Sequence, residues 1–272
     1  MSEPRRLTAG QATLLALVLG YLGVILLLPL GAIAVRALDA GPGALFGMFA
    51  DPSARAGLRL TLILALIAVV ANGLFGVGAA LVLVRHRFLG RRLLDTLVDL
   101  PLAVSPVMTG LAFLLVFGRG GWMDPWLDLA GIKVAFAFPG LVLATLFVTF
   151  PFTLREVAYV LIELGTDEEE AAVTLGASPW QTFRLVTLPN VRYGLGYGLV
   201  LTLARALGEF GAVLVIGGAI SGHTQTATTF IYNAMEERQD AAAYGMAFML
   251  AVSSVLFLLA LEWIKRQRSK EK

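Results

Sequence analysis

Six long apolar runs constrain this chain more than any other feature. They lie at Ala12–Val35, Leu60–Val84, Leu97–Phe117, Val134–Phe152, Tyr193–Gly218 and Ala242–Ile264. A helix needs about 20 apolar residues to cross the hydrocarbon core of a bilayer. Lipid offers no partner to backbone N–H and C=O groups, so only helices or closed barrels span it. The runs lack the two-residue alternation of barrel strands. The chain therefore reads as an all-α polytopic membrane protein, with one six-span domain over residues 12–264 and short tails at 1–11 and 265–272. Composition agrees: 58% of the 272 residues are hydrophobic and the mean hydropathy is +0.80.

The first run needs separating from a cleavable leader. Arg5 and Arg6 precede it, and Ala32-Ile33-Ala34 resembles a cleavage site. The apolar core of a leader is about 7–15 residues long, and this run has 24. A retained first span is expected.

Lys and Arg collect on the cytoplasmic side of short loops. Fourteen of the 21 basic residues fall on one side, among them Arg5, Arg6, Arg85, Arg87, Arg91, Arg92, Arg155, Arg184 and Arg192. Six fall on the other: Arg36, Arg55, Arg59, Arg119, Lys133 and Arg238. Both termini are expected in the cytoplasm, together with the loop from Gly165 to Pro189. The chain has no Cys, so disulfide and thiolate-metal chemistry are excluded. His86 and His223 fall in loops on opposite sides and cannot share a metal. No basic block suggests nucleic-acid binding.

The Gly165–Pro189 loop, GTDEEEAAVTLGASPWQTFRLVTLP, is too well specified for a passive connection. Thr166 is placed to cap a first short helix, with Glu169 completing a capping box. Asp167 to Glu170 put negative charge at its positive dipole end. Gly176 supplies the left-handed residue that stops it. Ser178, Pro179 and Gln181 start a second helix, and Pro189 marks a change of direction. Trp180 and Phe183 lie three apart and share a face. Two uses are open for that face: docking a soluble partner, or packing on the membrane ends of neighbouring helices.

The spacing of this loop resembles a known signature. Glu170-Ala171-Ala172, three residues, Gly176, nine residues and Val186-Thr187-Leu188-Pro189 match the EAA motif of ABC importer permeases. The resemblance implies a type I ABC importer (MetI-like) fold, with the loop helices coupling the spans to a separate ATPase. Glu170, Ala171, Ala172, Gly176, Trp180 and Phe183 would then form the ATPase-docking element. No GxxxxGK[ST] phosphate loop is present, so ATP and Mg²⁺ are expected on that partner, with no cofactor and no enzyme activity in this chain. Further stretches resemble the W-type permease subunit of sulfate/thiosulfate importers. These are Asp99 to Val107, Phe147 to Phe152, Ala204 to Val213 and Ser221-Gly222-His223. That family implies a sibling permease, two ATPase subunits and an external sulfate-binding protein, in a bacterial inner membrane. Molybdate and tungstate permeases share the element Gly208-Glu209-Phe210-Gly211, so that element alone leaves the anion open. A stand-alone secondary anion transporter is the rival from another class. It would be expected to show midplane carboxylates or an internal repeat; the chain has one Arg205–Glu209 pair and no evident repeat.

Arg205 and Glu209 are the strong charges deep in a span, four residues apart on one helix face. Intramembrane charges face protein or a water-filled cavity. They either line an anion path or lock helix packing. Pro101 and Pro106 interrupt the third span, and broken helices expose N–H groups able to meet anions. Ser105, Pro106, Arg205, Glu209 and Phe210 are the candidate pathway residues. Gly194, Gly196 and Gly198 suggest close helix packing.

Overall fold

The computed structural model describes residues 8–39, 41 and 49–270. Arg5, Arg6 and Lys272 lie outside them. The described residues form helices joined by short loops, with no strand among them. The first apolar run folds as α1 (Ala9–Leu22) and α2 (Leu28–Asp39), continuous through a π-type turn at Gly23–Leu27. This span sits at the periphery and buries none of its most apolar stretch in the chain itself.

The centre is a bundle of three long helices: α3 (Pro52–Arg85), α8 (Phe138–Leu164) and α11 (Leu188–Leu207). Small residues let them approach. Gly194 and Gly198 face α8 so closely that a Cβ there would meet Val160 Cγ2 at 2.6 Å and Thr153 Cα at 2.8 Å. Gly196 faces open space, so the packing role expected of all three glycines belongs to two. Hydroxyl and amide groups hidden between the helices find partners, as an apolar surrounding requires. Asn72 Nδ2 donates to Thr149 Oγ1 at 2.8 Å, joining α3 to α8. Thr153 and Thr202 hydroxyls meet at 2.9 Å between α8 and α11.

Two expected spans are broken. Over the third, α4 (Arg91–Val98) and α5 (Leu100–Ala103) lead to α6 (Pro106–Phe117), with a bend of 112° between the two arms. Val104 and Ser105 are extended there because Pro106 disfavours a helical residue before it. In the fifth, α11 stops at Leu207 and α12 (Gly211–Gly217) restarts at 53°. Among the described residues four helices are long and apolar enough to cross a membrane, or up to six if each bent pair is one span. The remaining helices are α7 (Asp124–Leu129), α13 (Ala227–Glu236) and α14 (Asp240–Lys270).

The fourth span corrects its expected boundary. It was placed to end at Phe152, but α8 continues through Pro151 to Leu164. Arg155, Glu156 and Glu163 lower the hydropathy of that extension. Its buried face of Leu154, Val157, Ala158 and Leu161 nevertheless keeps the helical period.

Candidate functional site

The loop between α8 and α11 folds as α9 (Asp167–Thr174) and α10 (Pro179–Thr182). Gly176 ends α9 with φ +89°. Ala177 N–H donates to Ala172 O at 3.0 Å and Gly176 N–H to Val173 O at 2.9 Å. This is a Schellman motif, and it satisfies carbonyls that the helix end would leave bare. The Ser178–Gln181 capping box is present, with Gln181 N–H donating to Ser178 Oγ at 3.3 Å and Ser178 N–H to Gln181 Oε1 at 2.8 Å.

Two local expectations are corrected. Thr166 does not cap α9 through a box with Glu169. Its hydroxyl donates to Glu170 Oε1 at 2.7 Å, because Glu169 is engaged elsewhere. Pro189 does not redirect the chain. The helix runs from Pro179 to Leu207, and a π-type turn at Phe183–Thr187 opens just before Leu188-Pro189. Proline clashes with the carbonyl four residues back; the wider turn lets Leu188 N–H reach Phe183 O instead. Leu28-Pro29 also follows a π-type turn in the first span, where Leu28 N–H donates to Val24 O.

Glu169 anchors the loop to the bundle. Arg85, the last residue of α3, donates through Nε to Glu169 Oε2 at 2.8 Å and through Nη2 to Oε1 at 3.3 Å. It also donates to Leu161 O at 3.1 Å and Gly165 O at 2.7 Å, meeting the negative end of α8. Thr187 Oγ1 donates to Glu169 Oε1 at 2.8 Å, and Asn190 Nδ2 to Glu168 Oε2 at 2.5 Å. One guanidinium thus ties α3, α8 and α9 together, while the next two contacts tie α9 to the start of α11.

The docking candidates separate by exposure. Glu170, Ala171, Gly176 and Trp180 are exposed, and Ala172 is half-buried. Phe183 is half-buried against the core cluster formed by α3, α8 and α11, with its ring 5.5 Å from that of Trp180. Val173, Leu175 and Leu185, outside the original candidates, add exposed apolar surface on the same loop.

The two span breaks lie side by side. A Cβ on Gly211 would meet Pro106 Cβ at 3.1 Å, and one on Gly110 would meet Val215 Cβ at 2.7 Å. The half-helices α6 and α12 are thereby in near-backbone contact. Ser105 is exposed at the start of α6 and makes no side-chain cap. Glu209 is buried at the second break. Its Oε1 accepts from Ala212 N–H at 2.9 Å, capping α12, and its Oε2 lies 2.7 Å from Arg205 Nη1. That second contact is ionic in distance but off the hydrogen-bonding direction. Thr228 Oγ1 donates to Glu209 O at 2.6 Å, and the Phe210 ring sits 5.7 Å from that of Tyr232. Arg205 remains about a third exposed. The structure thus brings Ser105, Pro106, Arg205, Glu209 and Phe210 around one pair of helix breaks.

The sequence reading missed a second clamp. Arg155 donates to Asp99 Oδ1 and Oδ2 at 2.8 Å, to Asp95 Oδ1 at 2.6 Å and to Asp95 O at 2.6 Å. It fixes the first arm of the bent span on α8. Asp95 and Asp99 stand four apart on one face, where like charges repel. That spacing signals a cation from outside the helix, although nothing local says which.

A family model described as the binding-protein-dependent transport system inner membrane component matches residues 72–270. The chain belongs to that family. The family's description ties its transport to a binding protein. Among its relatives, the sulfate transport system permease protein CysW of Synechococcus elongatus is 45% identical, over 90% of this chain and 86% of that one. The sulfate transport system permease protein CysT of Escherichia coli is 36% identical, over 96% and 94%. A chain in the crystal structure of a bacterial alginate ABC transporter superposes with a TM-score of 0.77 at 18% identity, over 95% of this chain and 94% of that one. The ABC importer permease fold expected from the EAA spacing is the fold found, and the chain is a multi-pass transport subunit of the inner membrane.

Proposed function

We propose that this chain is the W-type permease subunit of an ATP-driven sulfate/thiosulfate importer. The observation that carries the transport role is the loop at Gly165–Pro189. It is a short helix pair with exposed Trp180 and Leu175, held on the ends of three spans by Arg85 and Glu169. A loop so anchored can transmit a push or pull from a soluble partner to the bundle. Kinship to permeases named for sulfate supports the choice of anion.

In this reading the loop, both termini and the Arg85 cluster are cytoplasmic, which the distribution of Lys and Arg supports. Glu170, Ala171, Ala172, Gly176, Trp180 and Phe183 form the face toward the ATPase, with Phe183 backing Trp180. ATP and Mg²⁺ bind on two ATPase copies, and a sibling permease completes the pathway. Closure of the ATPase pair draws the loops together and opens the spans outward, where the binding protein releases its anion. Hydrolysis resets them. Such coupling needs rigid elements between the sites, and the Arg85 and Arg155 clamps supply rigidity on both sides of α8. Arg205, partly exposed at the paired breaks, attracts the anion, while Glu209 is neutralised by its own contacts.

The test is ATP-dependent uptake of labelled sulfate by the assembled complex in vesicles, with thiosulfate, molybdate and phosphate as competitors. Sulfate uptake blocked by thiosulfate and not by molybdate is expected. Uptake of molybdate in place of sulfate would move the substrate to the molybdate/tungstate class. Uptake by this chain without an ATPase would make it a stand-alone transporter.

A further inference from the structure

The first arm of the bent span carries a feature that the coupling loop and the anion path do not use. Between α3, the α4–α6 elbow and α8 lies an open groove of about 730 Å³. Its lining is almost wholly apolar, including Phe75, Val82, Leu94, Leu97 and Phe150. Phe88 lines the groove and also a second hollow of about 300 Å³ walled by Arg87, Arg91 and Arg92.

These three arginines have no ion pair or side-chain hydrogen bond among the described residues, and Arg87 and Arg92 are exposed. The carboxylates nearest in sequence, Asp95 and Asp99, are held by Arg155 instead. The arm runs 112° from α6. With α6 along the membrane normal, the arm lies near the membrane plane. Leu93, Leu94 and Leu97 on this arm are exposed, as is Leu89 just before it, while the arginines keep a polar side. A basic amphipathic helix in that position belongs at the headgroup level. Basic residues clustered at the cytoplasmic end of a span attract anionic lipid headgroups.

We propose that this groove is a binding site for one anionic phospholipid. The phosphate sits among Arg87, Arg91 and Arg92, and an acyl chain passes Phe88 into the apolar groove. The charge complementarity selects a lipid over an apolar protein segment, which would leave the three guanidinium groups unmatched. This rests on the cytoplasmic placement of the arm given above.

The experiment is native mass spectrometry of the delipidated full complex titrated with phosphatidylglycerol or with phosphatidylcholine. The wild type is expected to retain phosphatidylglycerol preferentially. The combined variant Arg87→Gln, Arg91→Gln and Arg92→Gln should weaken retention roughly a hundredfold, about fivefold for each charge at a membrane surface. Gly78→Phe, at a groove position where a Cβ meets nothing within 4 Å, should displace the lipid with all arginines intact. Equal retention of the two lipids overturns the proposal. So does unchanged retention in Gly78→Phe, or a cross-link from position 78 to the sibling permease. Because the chain has no Cys, Leu89→Cys can report orientation alone with an impermeant maleimide. Labelling from the outer face would overturn the placement that the site requires. Failure of the sulfate assignment would alter uptake and leave lipid retention unmoved.

Discussion

Arg85 and Glu169, 84 residues apart in sequence, form a two-pronged ion pair with the guanidinium turned onto the carbonyls at the end of α8. Neither side chain is more than 20% exposed. Removing one partner leaves the other charge partly desolvated and frees three helix ends at once. Arg85→Gln is expected to destabilise the loop by roughly 1–2 kcal/mol, the range for charged hydrogen bonds discounted for solvent access. The expected phenotype is ATP turnover by the complex with uptake reduced about tenfold or more. Parallel measurement of ATPase and uptake rates checks it, and equal loss of both would mean failed docking instead.

Gly176 sits at φ +89°, where a β-branched side chain is strained. Gly176→Val should cost about 1–2 kcal/mol locally and undo the Schellman turn that sets α9 against α10. Uptake should fall while membrane insertion stays normal, as read by quantitative blotting of membranes. Wild-type uptake in this variant would show that the turn has no part in coupling.

Arg155→Lys tests the second clamp. A lysine keeps the charge but loses the fork that reaches Asp95 and Asp99 together. Both aspartates are about half exposed, so the expected loss is modest, about 1 kcal/mol. It would appear as a lower midpoint in thermal unfolding of the detergent-solubilised complex. Asp95→Asn with Asp99→Asn should give no further loss in an Arg155→Gln background, where no cation is left to pair with them.

Arg205 and Glu209 can be assigned by a double replacement. Glu209→Leu strands a charge in the bundle and removes the cap on α12, so assembled complex should drop severalfold. Adding Arg205→Leu removes the stranded charge, and assembly should recover in part. Sulfate uptake should stay low if Arg205 meets the anion. Recovered uptake would make the pair a packing device only.

The apolar runs were legible because lipid imposes length and composition on every span, whichever neighbours it has. The turn at Gly176 and the Ser178–Gln181 box were legible because both depend on contacts within a few residues. The Thr166 box followed the same local rule and failed. Glu169 had a better partner in Arg85, which no window around the loop contains. The fourth span ran past Phe152 for a related reason: packing on α3 and α11 carries a helix through Pro151 and past Arg155 when its buried face stays apolar.

The sequence by itself determined that this is a six-span membrane protein, that its loop at Gly165–Pro189 carries the EAA spacing, and that Arg205 and Glu209 share a helix face. Hydrophobic length, turn chemistry and helical period are local properties, so each is carried by a short stretch of chain. Only the tertiary structure decided that Glu169 belongs to Arg85, that Arg155 gathers Asp95 and Asp99, and that the breaks at Ser105 and Glu209 lie together. Those pairings join residues tens of positions apart. Their partners are selected by how closely the glycine-lined helices approach, and periodicity does not encode that.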